Sequence, residues 1–193
     1  MNLEEGKVIV KLARESVTSY FQHKEPIIPK NFEEKRGVFV TIHTTEKNLR
    51  GCIGFPYPKH PLAKSIIAAA RAAAFQDPRF LPLKEKELNK IIFEVSVLTE
   101  PELIKVKNPL EYLKQIVIGK DGLIVECDSF SALLLPQVPI PLNWNAEQFL
   151  TATCHKAGLL PETWKTKKCK VYKFQAEIFR EETPNGSIIA ETE

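Results

Sequence analysis

The run GVFVTIHTTEKNLRGCIG, residues 37–54, decides the fold. From Val38 to Thr44 the side chains alternate, with Val38, Val40 and Ile42 on one side and Phe39, Thr41 and His43 on the other, which is the period of an extended strand. A second extended run starts at Leu49, and Thr45 to Asn48 between them reads as a hairpin loop. A slip of one residue would carry every apolar side chain to the wrong face, so the expected register is the one that keeps them together. It places Thr44 opposite Leu49, His43 opposite Arg50 and Thr41 opposite Cys52. Thr41, His43, Arg50 and Cys52 then share a polar face, and Val40, Ile42, Gly51 and Ile53 share the apolar one.

Outward from this hairpin, Ile9, Leu12, Ala13, Ser16, Val17, Tyr20 and Phe21 fall three and four apart, which predicts an amphipathic helix ended by Pro26 and Pro29. On the other side, PLAKSIIAAARAAAFQ (61–76) predicts a helix whose alanines let it approach a neighbouring backbone closely, stopped at Asp77-Pro78. A short helical stretch near Lys84 to Leu88 leads to a strand from Ile91 to Leu98 rich in β-branched residues. Asn108-Pro109-Leu110-Glu111 has the form of a helix start, the helix running to about Ile116. Leu123 to Cys127 and Ser131 to Leu135 form a second hairpin, Asn145 caps a helix that Gly158 stops, and a last strand runs from Val171 to Phe179. Strands and helices do not alternate regularly, so the fold class is α+β, a mainly antiparallel sheet with packed helices.

The 193 residues, 44% of them hydrophobic, suffice for one domain with a substantial core, and the segment from Glu181 to Glu193 reads as a flexible tail. A net charge of +3 does not announce a polyanion partner and disfavours nucleic acid, yet a non-catalytic binding module for a protein partner or nucleic acid stands as the alternative to an enzyme. No apolar run approaches membrane-spanning length. The four cysteines, at 52, 127, 154 and 169, form no C-x-x-C clip, which argues against a zinc site. With no secretory leader they read as reduced thiols of a cytoplasmic protein, not a disulfide framework. Cys154 falls on the apolar face of its helix and reads as core. Cys127 at a turn and Cys169 in the basic run Lys165 to Lys170 read as incidental.

Cys52 differs from these because two glycines bracket it and Arg50 and His43 share its face. A guanidinium and an imidazole near a thiol favour the thiolate. One reading makes Cys52 a catalytic nucleophile, with His43 as base and Arg50 as anion-binding group. The other makes Cys52 a small buried hydrophobe and Arg50 half of a structural ion pair. Both readings fit the spacing.

Six motifs connect these residues to a family: Leu49-Arg50-Gly51-Cys52-Ile53-Gly54; Ala72-Ala73-Ala74-Phe75 with Asp77-Pro78-Arg79-Phe80; Val95 to Thr99; Gly119 to Leu123; Leu135 to Val138; and Cys154 to Leu159. In this order, from about Phe39 to Phe179, the chain resembles the AMMECR family. The resemblance implies an α+β module with a larger and a smaller subdomain and a cleft between them, the Arg-Gly-Cys motif near that cleft. Gly51, Gly54, Thr41, Asp77 and Arg79 are then expected at the cleft or on substrate, although an Asp77–Arg79 pair would equally lock the turn around Pro78. The family's microbial members look linked to Memo-type and radical S-adenosylmethionine proteins, which makes these the expected partners. The resemblance names no reaction and no cofactor. Two departures, Phe55-Pro56-Tyr57 after the motif and Pro139-Ile140-Pro141 before Trp144, would alter the rim of the cleft.

Overall fold

The computed structural model describes residues 1–57, 59–166 and 168–191. In chain order the elements are α1 (Leu3–Phe21), β1 (Val38–Thr44), β2 (Leu49–Phe55), α2 (Leu62–Phe75), β3 (Ile91–Leu98), β4 (Glu102–Leu103), α3 (Tyr112–Gln115), β5 (Gly122–Cys127), β6 (Phe130–Leu134), α4 (Ala146–Lys156), β7 (Cys169–Phe174), β8 (Ala176–Glu181) and β9 (Ile188–Glu191). The α+β class and the antiparallel pairing are as the sequence implies. The chain divides into two compact units, one of Met1–Leu98 with the segment returning at Glu177, the other of Thr99–Ala176.

The first unit is a five-stranded sheet, ordered β2-β1-β3-β8-β9. Its core joins Ile9, Val10, Ala13 and Val17 of α1 and Leu62, Ile66, Ala69, Ala70 and Ala73 of α2 to Val38, Val40, Ile42, Phe93, Val95 and Val97. Both helices therefore lie on the face that the alternation marked as apolar. Asn2 caps α1 by accepting from the Glu5 N–H at 2.9 Å, and Glu5 accepts in return from the Asn2 N–H at 2.8 Å. The alanines of α2 bring its backbone so close to β2 that a Cβ on Gly51 would overlap the Ala73 carbonyl oxygen.

The C-terminal part departs from the expected strand and tail in two ways. The single strand from Val171 to Phe179 is two strands in two sheets, interrupted at Gln175, whose N–H donates to Thr99 Oγ1 at 2.8 Å and whose carbonyl accepts from the Thr99 N–H at 2.9 Å. The segment from Glu181 onward is no tail over its described residues. Its β9 pairs antiparallel with β8, Ile188 is buried, and Glu181 is 2% exposed beneath Arg14. Short, polar and Gly-containing, the stretch looks like a terminus, but Ile188 and Ala190 alternate onto the core. Thr192 and Glu193 lie outside the described residues.

The second unit has a four-stranded sheet, ordered β4-β7-β5-β6, covered by α4. Leu123, Val125, Val171, Phe149, Leu150 and Trp164 fill its core. Asn145 caps α4 reciprocally with Gln148, and Gly158, at φ +76°, ends it as expected. Here the reading of four reduced thiols is corrected. Cys127 on β5 stands directly opposite Cys169 on β7, with Cα atoms 4.5 Å apart, and the two form a disulfide. They are 42 residues apart in sequence, so only the sheet register brings them together.

Candidate functional site

β1 and β2 pair as expected through Thr41 opposite Cys52 and Ile42 opposite Gly51, and then the register shifts. His43 faces Leu49, not Arg50, because Arg50 is the extra residue of a β-bulge. A bulge shifts a period-two pattern by one, but Leu49 is the single β2 residue before it, so the shift leaves no trace in the sequence, hence the misplaced pair. The bulge re-aims Arg50. Its Nε donates to Glu87 Oε1 at 2.9 Å, its Nη2 donates to Glu87 Oε2 at 3.3 Å and to the Leu81 carbonyl at 3.0 Å, and its guanidinium lies 5.9 Å from the Phe80 ring centre. Its Nη1 is buried without a hydrogen-bond partner. Arg50 thus forms the structural ion pair that was one of its two readings.

β2 is an edge strand, and at Cys52 its free edge is closed by two side chains from the turn after α2. The Cys52 N–H donates to Asp77 Oδ2 at 2.9 Å, and Arg79 Nη2 donates to the Cys52 carbonyl at 3.3 Å. Arg79 also donates through Nη2 to Asp77 Oδ2 at 2.7 Å and through Nε to Oδ1 at 2.9 Å. Side chains thus satisfy both peptide groups of Cys52 where a neighbouring strand would otherwise pair. The hydrogen bonds from Arg79 hold the Asp77 carboxyl well below the usual carboxylate range; burial opposes this, and the N–H groups of Cys52 and Arg79 add to the lowering. Asp77 raises Arg79 in turn, against the effect of burial, and a Cys52 thiolate adds to the raising. Asp77 and Arg79 accordingly lock the turn and fix the Cys52 backbone.

On the sheet face turned away from α1 and α2, side chains stand in rows across the strands. Cys52, Thr41 and Glu94 form one row, flanked by Gly54, Phe39 and Ser96 and, on the other side, by Leu49, His43 and Ile92. Thr41 Oγ1 donates to Cys52 Sγ at 3.3 Å. Thr41 and Glu94 are 6% and 7% exposed, whereas Cys52 is half-buried. His43 Nε2 lies 3.7 Å from Glu94 Oε2, an ion pair only when the imidazole is protonated, and its Nδ1 is buried without a partner. Burial lowers the His43 pKa from 6.5, Glu191 opposes the lowering and Arg180 adds to it, so the neutral imidazole prevails at neutral pH. Ser96 Oγ, fully buried, is likewise without a partner.

The structure therefore brings Cys52, Thr41 and His43 onto one face, fixes the Cys52 peptide with Asp77 and Arg79, and gives Arg50 to Glu87. Both motif glycines serve packing. A Cβ on Gly51 would meet α2 and one on Gly54 would meet the Phe39 ring, so neither opens a path to the sulfur. Glu94 and Ser96 are the site residues that the sequence reading missed. Their signal is the parity of β3, where they alternate with Phe93, Val95 and Val97.

The remaining candidates lie elsewhere. Cys154 is buried, and burial pushes its thiol up, the Trp164 backbone opposing. In the basic run, Lys165 pairs with Glu147 and Glu162, and Lys167 lies outside the described residues. Among the described residues no group of three or more His, Cys, Asp or Glu side chains is placed to hold a metal ion, and no helix is long and apolar enough to cross a membrane.

A family model described as AMMECR1 matches residues 10–179. Protein MJ0810 of Methanocaldococcus jannaschii is 48% identical over 98% of this chain and 96% of its own. Protein PYRAB00100 of Pyrococcus abyssi is 50% identical over 96% and 94%. The crystal structure of uncharacterized protein PH0010 from Pyrococcus horikoshii superposes with a TM-score of 0.94, at 47% identity, covering 98% of each chain.

Proposed function

The chain belongs to the AMMECR1 family, and on that premise we propose that it works as a thiol-dependent enzyme, or as the thiol-bearing component of one, through Cys52. The observation that carries this reading is the hydrogen bond from Thr41 Oγ1 to Cys52 Sγ on a polar, partly buried sheet face. A hydroxyl aimed at the sulfur stabilises the thiolate, and the Arg79 guanidinium supplies a nearby positive charge. In the nucleophilic step the sulfur's electron pair forms the bond to an electrophilic carbon, whose leaving group departs with the pair of the broken bond. The thiol proton leaves to water or to His43, which burial keeps neutral and able to accept it. Asp77 and Arg79 position Cys52 by holding its peptide and need not touch substrate.

The test is the rate of iodoacetamide modification at each cysteine as a function of pH, read by mass spectrometry on the folded protein, with Cys52→Ser as control. Cys52 is expected to react at pH 7 faster than a free thiol with a pKa of about 8.5, while Cys154 stays silent. A Cys52 that reacts no faster than the free thiol, or that reacts only on unfolding, removes this reading.

A further inference from the structure

A cavity of about 460 Å³ lies between the C-terminal end of β2 and the exposed face of α2. This is within the range of small-ligand sites, roughly 300–1,000 Å³. Phe55, three residues beyond Cys52, projects from the opposite face of the strand, so the cavity is separate from the Cys52 row. Its lining divides by chemistry. Phe55 and Tyr57 present rings that are 41% and 43% exposed, and Ala68 adds a small apolar floor. Lys59, His60 and Lys64 supply the basic groups, and none of the described residues that line the cavity is a carboxylate. Among the described residues ion pairs engage Lys7 and Lys165 but neither Lys59 nor Lys64.

Exposed rings beside unpaired cations specify a ligand with a flat apolar part and a compact anionic part. Stacking on an aromatic side chain adds affinity for a base-sized ring with little regard to which ring it is. The cations are lysines with no arginine beside them, which suits a multi-oxygen anion bound by point charges better than a carboxylate held by a planar fork. We propose that this cavity binds a small aromatic phosphate of the mononucleotide kind, its ring against Phe55 and Tyr57 and its phosphate between Lys59 and Lys64. The site is independent of the Cys52 chemistry.

An NMR titration of the full chain with adenosine monophosphate, phenyl phosphate, adenosine and inorganic phosphate tests this. Adenosine monophosphate or phenyl phosphate is expected to saturate the shifts of residues 55–68 with a Kd below about 1 mM. Adenosine and inorganic phosphate should each bind at least about tenfold weaker. Equal binding of the two aromatic phosphates assigns the site to aryl phosphates in general; preference for the nucleotide assigns it to nucleotides. Lys64→Glu should weaken binding at least about tenfold, Lys64→Gln by less, and Tyr57→Ala should erase the advantage over inorganic phosphate. Cys52→Ser should change nothing. The assignment falls if no compound saturates, if inorganic phosphate binds as tightly as the aromatic phosphates, or if a single-stranded RNA binds at least about tenfold tighter with a steep salt dependence.

Discussion

The five-stranded sheet buries polar side chains on both faces and treats them oppositely. On the helix-covered face, Arg14 donates from Nε and Nη2 to the Glu181 carboxylate and from Nη1 and Nη2 to the carbonyls of Leu88 and Ile91, at 3.1 and 2.7 Å. Glu181 Oε2 also accepts from the Phe93 N–H at 3.0 Å. Every charged nitrogen there has a partner, and the pair ties α1, β3 and β8 together. On the other face the row of Cys52, Thr41 and Glu94 is flanked by His43 and Ser96, each with a buried polar atom that has none. An unsatisfied buried group costs about 1–3 kcal/mol. A completed network therefore reads as architecture, whereas orphans flanking a half-buried thiol, unlike the single orphan Nη1 of the structural Arg50–Glu87 pair, read as a surface kept for a ligand's polar atoms.

The largest effect expected from this contrast comes from Glu181→Ala. Leaving the Arg14 charge buried and unpaired should cost about 3–5 kcal/mol in urea unfolding. Cys52 alkylation in the folded fraction should not change. A loss under about 1 kcal/mol would mean that the completed network is not architectural, and the contrast would collapse. Asp77→Ala comes next, because Asp77 stands between the two categories: it is architectural in its own bonds yet aimed at the Cys52 peptide. It should cost about 1–3 kcal/mol and also alter the Cys52 alkylation rate. The Asp77 carboxyl is held below its ordinary value of 3.8, so its stabilisation is present above that pH and is lost as pH falls through the lower folded value. Asp77→Asn should therefore flatten the acid limb of the stability profile, and an unchanged limb would count against the Arg79 clamp. Thr41→Val should be milder in stability, about 0.5–1.5 kcal/mol for one hydrogen bond, but should slow alkylation at pH 7. An unaffected rate would show that the hydroxyl does not act on the sulfur.

The same contrast marks what the sequence could convey. Alternation in residues 38–44 identifies the strand, its core face and the pairing of Thr41 with Cys52, because burial of one face enforces period two. It does not reveal the bulge at Arg50: an inserted residue shifts the alternation by one, but Leu49 is the single β2 residue beyond it, too little to show the change of phase. Parity in β3 carries Glu94 and Ser96, but a strand of mostly β-branched residues reads as uniformly buried unless the two polar positions are weighed separately. The Arg14–Glu181 pair and the Cys127–Cys169 disulfide join residues 167 and 42 positions apart. Such partners are chosen by tertiary register, on which local periodicity is silent.

His43 gives the smallest effect and the finest test of the difference between the faces. The groups around it are Glu94 at 3.7 Å, Glu191, which favours the charged imidazole, and Arg180, which disfavours it. Burial outweighs Glu191, so the folded pKa lies below 6.5. In the window between the folded and unfolded values the unfolded chain binds more protons, and stability declines as pH falls below about 6.5 until the folded value is passed. Had Glu94 and Glu191 completed the site as Glu181 completes Arg14, the pKa would be raised and stability would instead be lost as pH rose. His43→Gln, compared with the parent chain in urea melts between pH 5 and 8, should remove a slope of the first sign. A slope of the opposite sign would mean that His43 is a satisfied ion-pair partner, and the two faces would then be alike.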